Sequence, residues 1–175
     1  MTKTTFVTIL ILISLVGLWL RLVNYDSIPP FGETKDEFIY PWAGLSLIEK
    51  HIPESWSPFV SYPTKYTLHV WGETFTMVKP FLEKPFLYPL LTGTFAFIRG
   101  EQTFTDVRLS TIRLIPIVLS VISIIFIGLL AASIFNPTVA IVASLIYATT
   151  PTIVLGNRLS LTENLLTPLV LLALY

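Results

Sequence analysis

Four places in the 175-residue sequence set ionisable side chains against apolar sequence: Asp36 with Glu37, Glu83 with Lys84, Arg108 with Arg113, and Glu163. Charge beside a lipid-facing segment is costly, and it is kept where it pairs or does chemistry. A carboxylate at a helix start, such as Asp36, can be aimed into a cavity as a general base. Thr34-Lys35-Asp36-Glu37 also matches the capping box, in which Glu37 satisfies an orphan backbone N–H and only Asp36 is left over. In Glu83-Lys84-Pro85 the ammonium suits a phosphate and the carboxylate suits a metal or an acceptor. The plainer reading of that pair is a surface ion pair, which contributes little. Glu163 follows Arg158 in a short polar connection, where a helix dipole alone favours a carboxylate. Arg108 and Arg113, with Arg99, suit anionic substrate groups or anchor in lipid headgroups.

The elements that must position these residues follow from composition. The chain is 53% hydrophobic and 13% charged, with mean hydropathy +0.74, whereas soluble domains carry about 25% charged residues. Lipid is the expected solvent. Net charge is zero and no basic tract occurs, so the phosphate-neutralising surface needed for nucleic-acid binding is missing and no nucleic-acid partner is expected. Without cysteine there are no disulfides and no thiolate metal sites, which leaves any divalent metal to Asp, Glu and His.

The apolar run Thr5 to Val23 predicts a first membrane-spanning helix, with Arg21 near enough to its end to snorkel into the headgroups. Lys3 also suits a signal peptide, but the core is long and no small-residue cleavage site follows. Asn24 to Arg113 carries most of the charges and prolines and reads as a long extramembrane segment. Within it, Phe38, Trp42, Leu45 and Ile48 predict a short helix on the membrane surface, with Pro41 in its first turn or at a kink. Lys65 to Val78 alternates around Gly72-Glu73, which predicts a hairpin with a type II′ turn. Phe86 to Ile98 is short for a span and predicts an interfacial or re-entrant helix opened by Pro85. Leu114 to Phe135 predicts a charge-free spanning helix, Asn136-Pro137 a turn, and Thr138 to Leu155 another apolar helix bent at Pro151. Leu165 to Tyr175 is too short to cross a hydrocarbon core that needs about 20 residues, and the chain is read as the amino-terminal part of a longer one.

The expected organisation is therefore an all-α polytopic membrane protein: a first transmembrane helix over 1–23, an external loop with two interfacial helices over 24–113, and transmembrane helices two, three and the start of four over 114–175. If the run after Pro85 lies flat, the loops 24–113 and 156–163 emerge on one side. The arginines flanking the second span oppose the positive-inside tendency, from which long loops are partly exempt.

The ordered set resembles a known family. Arg21 near the end of the first helix, Asp36-Glu37 then Tyr40 and Ala43, Glu83-Lys84-Pro85 with Tyr88-Pro89-Leu90-Leu91, Arg108 and Arg113, and Glu163 resemble the GT-C glycosyltransferases. The similarity is to the dolichyl-phosphate-mannose protein mannosyltransferases and the undecaprenyl-phosphate aminoarabinose transferases, and it runs along essentially the whole chain. It implies a multi-pass protein of a plasma or inner membrane with an external or lumenal active site. The implied reaction moves a sugar from a polyprenyl-phosphate donor to a lipid, glycan or protein acceptor with inversion. It also implies that Asp36 is the general base, that Glu83 and Lys84 lie near a divalent metal and the departing lipid phosphate, and that Glu163 lines the same cavity. Glu37, Arg108 and Arg113 are expected to contact substrate. A flippase of lipid-linked sugars is the competing expectation, but it would want charges within the spans, which here hold almost none.

Overall fold

The structure, a computed structural model, describes residues 1–59 and 61–175. The chain divides into two compact units, Met1–Phe31 with Pro116–Tyr175, and Gly32–Ile115.

The first unit is helical. Helix α1 spans Lys3–Leu22 and is capped by Thr2, whose hydroxyl accepts from Thr5 N–H at 3.2 Å. Glycine and alanine let its neighbours approach closely: a methyl on Gly17 would stand 2.5 Å from Ile124 Cδ1 and 3.3 Å from Ala148 Cβ. Phe6 and Leu10 pack with Ala140, and Ile13 packs with Ile124 and Ala148. The outward residues, among them Leu12, Leu15, Trp19, Val118, Val142 and Leu169, remain exposed. α1 and the apolar stretch Leu109–Ile134 are long and apolar enough to cross a membrane.

The expected single bent helix through Pro151 is instead two helices, α6 (Pro137–Thr149) and α7 (Pro151–Gly156), separated by an extended Thr150. Proline has no N–H to give to the Tyr147 carbonyl, so the ladder stops there. Arg21 takes up the released groups. Its five donors reach Asn157 Oδ1 (3.3 and 2.8 Å), Gly17 O (3.0 Å), Ala148 O (2.9 Å) and Tyr147 O (3.2 Å). Arg21 is 0% exposed, so the snorkelling expectation fails: a guanidinium whose whole fork is satisfied inside the bundle gains more there than in the headgroups. Asn157 is held in turn by Asn164 in α8 (Glu163–Leu174).

The second unit sets two helices against a small sheet. A 3₁₀ turn, Lys35–Phe38, leads into α2, Ile39–Lys50, with Pro41 in the first turn, where its missing N–H costs nothing. Helix α3, Leu87–Ile98, crosses α2 at backbone contact, because Gly44 and Gly93 face each other; a methyl on Gly44 would lie 1.8 Å from Pro89 O. Then follow α4, Leu109–Ile112, and α5, Leu114–Ile134, whose first two residues belong to this unit.

The chain is mostly helical but not all-α. Strands β1 (Ser55–Trp56), β2 (Lys65–Val70) and β3 (Glu73–Val78) form an antiparallel sheet in the order β1-β3-β2. The hairpin falls where alternation predicts it, with its turn one residue earlier. Val70 pairs with Glu73, and Trp71 and Gly72 occupy the left-handed region at φ 51° and 79°. Two positive φ values define a type I′ turn rather than the expected II′. A tryptophan is strained there, and a tilted ring contact with Phe38, centroids 4.7 Å apart, helps to offset the cost. Phe38, Trp42, Leu45, Val70, Phe75, Met77, Val107 and Ile112 form the core of this unit.

Candidate active site

The turn that carries Asp36 is held from three directions. Thr34 Oγ1 accepts from Asp36 N–H at 3.2 Å, Asp36 O accepts from Ile39 N–H, and the Trp56 indole donates to Lys35 O at 2.9 Å. Lys35 Nζ pairs with Glu73 Oε2 at 2.6 Å and lies over the Phe75 ring. The backbone of Asp36 is thus fixed while its side chain is half-buried.

Glu37 does not close the capping box. Its oxygens accept from Arg113 Nε at 2.9 Å and Nη2 at 2.7 Å, and the two side chains are 1% and 0% exposed. Two parallel charge-assisted bonds to a guanidinium outweigh one bond to a backbone N–H. Glu37 and Arg113 are brought together, and each is engaged with the other.

Glu83 and Lys84 stand at the entry to α3, both half-buried. The Glu83 Oε1 accepts from Ser57 Oγ. Ser57 Oγ itself accepts from Phe59 N–H at 3.0 Å, so its single proton points at Glu83. Tyr62 lies near by: its hydroxyl accepts from Leu82 N–H at 3.4 Å, and its phenol feels the Glu83 carboxylate. Burial raises the Tyr62 phenol above its usual range; the Leu82 N–H opposes this, and the Glu83 bond and charge add to it. Among the described residues neither the Asp36 carboxylate nor the Lys84 ammonium has a hydrogen-bond or ion-pair partner.

The two polar clusters meet on β1 and the residue after it. Ser55 Oγ donates to Ile39 O at 2.8 Å, Trp56 to Lys35 O, and Ser57 to Glu83. Consecutive residues therefore hold the neighbours of Asp36 and the neighbour of Lys84. This placement escapes sequence reading, because nothing in Ser55-Trp56-Ser57 marks it as the junction.

Arg108 is exposed at the start of α4. Its N–H faces Glu101 Oε2 at 3.4 Å, and its charge helps Asp106, after that residue's bonds from Thr103, to hold a carboxyl below the usual range. Glu163 lies in the other unit, as the exposed first residue of α8, a place the helix dipole favours. For a metal, Glu83 is the expected ligand. No group of three His, Asp or Glu that could hold an ion occurs among the described residues. One carboxylate suffices only in the mode in which substrate phosphate oxygens complete the shell.

Two stretches are long and apolar enough to cross a membrane, and the second unit presents the Asp36 carboxylate and the Lys84 ammonium, both without partners among the described residues. The pattern of the dolichyl-phosphate-mannose-protein mannosyltransferase family matches residues 83–175, just over half of the chain, and the chain belongs to that family of GT-C-type glycosyltransferases. No curated protein and no solved structure matches it. The match opens on Glu83-Lys84-Pro85, whereas Asp36, Ser57 and Tyr62 precede it.

Proposed function

We propose that the intact protein transfers a sugar from a polyprenyl-phosphate donor to a lipid, glycan or protein acceptor, at the external or lumenal face of its membrane, with inversion at the anomeric carbon. Asp36 takes the proton of the acceptor hydroxyl, and the acceptor oxygen attacks the anomeric carbon from the side opposite the phosphate. The bond from that carbon to the phosphate oxygen breaks, its electron pair stays on the lipid phosphate, and Lys84 stabilises the charge that develops there. Glu83, beside it, is the carboxylate through which this chain would hold a divalent cation, which when bound neutralises the leaving phosphate. Arg108 and Glu163 are assigned to substrate contacts outside the reacting atoms. Glu37 and Arg113, buried against each other, are assigned to holding the turn that bears Asp36.

The reading is carried by one observation: adjacent residues Trp56 and Ser57 tie down the turn of Asp36 and the Glu83-Lys84 pair, and the Asp36 carboxylate and Lys84 ammonium have no partners among the described residues. The family match supplies the reaction class. The test is transfer by the intact protein in liposomes containing a radiolabelled polyprenyl-phosphate sugar, read as released polyprenyl phosphate. Lys84→Ala is expected to raise the donor KM or lower kcat, and unchanged kinetics would remove Lys84 from the phosphate.

A further inference from the structure

Glu83 is served by two hydroxyls that the family match does not reach. Ser57, 1% exposed, is fixed by its own N–H, which donates to Thr76 O at 2.9 Å, and by Phe59 N–H on its oxygen. Tyr62 is fixed by Leu82 N–H. A backbone donor occupies each hydroxyl oxygen, and on Ser57 the remaining proton goes to the carboxylate. Such a pair is more than packing. A buried serine with no task would return its proton to a local carbonyl, as Ser46 does with Trp42 O at 2.8 Å.

We infer that Ser57 and Tyr62 are positioning residues for the Glu83 carboxylate, supplied by the β1–β2 connection to orient it beside Lys84. The inference rests on the reading of Glu83 and Lys84 as the donor-phosphate site. The bond donated by the buried Ser57 hydroxyl fixes one oxygen of the carboxylate, and the Tyr62 phenol is placed to restrict the rest, so its remaining acceptor positions face a limited direction. Glu83 follows β3 by five residues, and the segment between them is tied back by Phe81 N–H on Pro53 O at 2.8 Å.

The experiment is a pair of double-mutant cycles in the intact protein, Ser57→Ala and Tyr62→Phe, each with and without Glu83→Gln. Both kcat/KM for transfer and the Kd for undecaprenyl phosphate in nanodiscs are measured. Each single substitution is expected to cost about tenfold, as for loss of a hydrogen bond to a charged group. In the Glu83→Gln background that cost is expected to fall to about twofold or less. Tyr62→Phe keeps the ring, so it decides the matter if Ser57→Ala disturbs folding. Equal losses with and without Glu83→Gln, in an active protein, would overturn the positioning role alone. A wild type that neither transfers sugar nor binds the lipid phosphate would overturn the functional reading and this inference with it.

Discussion

Arg113 and Glu37 form a two-point ion pair, Nε to Oε1 at 2.9 Å and Nη2 to Oε2 at 2.7 Å, inside the unit that carries Asp36. Asp36 is the residue before Glu37, so the pair fixes the turn that aims the candidate base. Removing one partner leaves the other charge buried, which costs about 3–5 kcal/mol. Glu37→Ala and Arg113→Ala are each expected to lower stability by that amount in thermal unfolding. Glu37→Met with Arg113→Met is expected to cost less than either. A loss below about 1 kcal/mol for the single variants would contradict the pair's role.

The glycines of the second unit divide by cause. Gly44 has no room for a methyl, since Pro89 O would lie 1.8 Å away, so Gly44→Ala is expected to force α2 and α3 apart and cost more than about 3 kcal/mol. Gly72 meets nothing within 4 Å, but its φ of 79° is left-handed, so Gly72→Ala is expected to cost only about 1 kcal/mol. Unfolding midpoints in detergent compare the two. Equal losses would mean that α2 and α3 do not touch at Gly44.

Tyr66 donates to the Glu54 carboxylate, which Lys50 also contacts at 3.2 Å. Burial first, then the Glu54 bond and charge, raise the Tyr66 phenol above 10.0. A raised phenol favours the neutral form, so this contribution to stability is complete below pH 10.0 and is lost as pH climbs through the raised value. In an absorbance titration the phenolate signal gained up to pH 10.0 is expected to be the same in Tyr66→Phe as in wild type. A smaller signal in Tyr66→Phe would show that Tyr66 titrates as a free phenol.

Much of the helical architecture is legible because it depends on length and spacing alone. α1 and α5 follow from uninterrupted apolar runs, and α2 from Phe38, Trp42 and Leu45, which do turn inward. The hairpin turn is misread by one residue because alternation fixes the strands but leaves Gly72 free to be the first or second turn residue. Trp71 would not be chosen for a left-handed position without knowledge that its ring packs against Phe38. The polar network is less legible. Arg21 to Asn157, Glu37 to Arg113 and Ser57 to Glu83 join residues 136, 76 and 26 positions apart. Local pattern therefore offers each residue a nearer and plausible partner, such as the headgroups for Arg21 or the capping box for Glu37.

The central claim is that the Asp36 carboxylate takes the acceptor proton. Its most direct test compares wild type with Asp36→Asn in the liposome transfer assay, with membrane insertion and polyprenyl-phosphate binding measured alongside. Asn keeps the size and loses the base, so kcat is expected to fall by about 10²–10⁴ while insertion and binding are unchanged. Full transfer activity in Asp36→Asn would contradict the assignment.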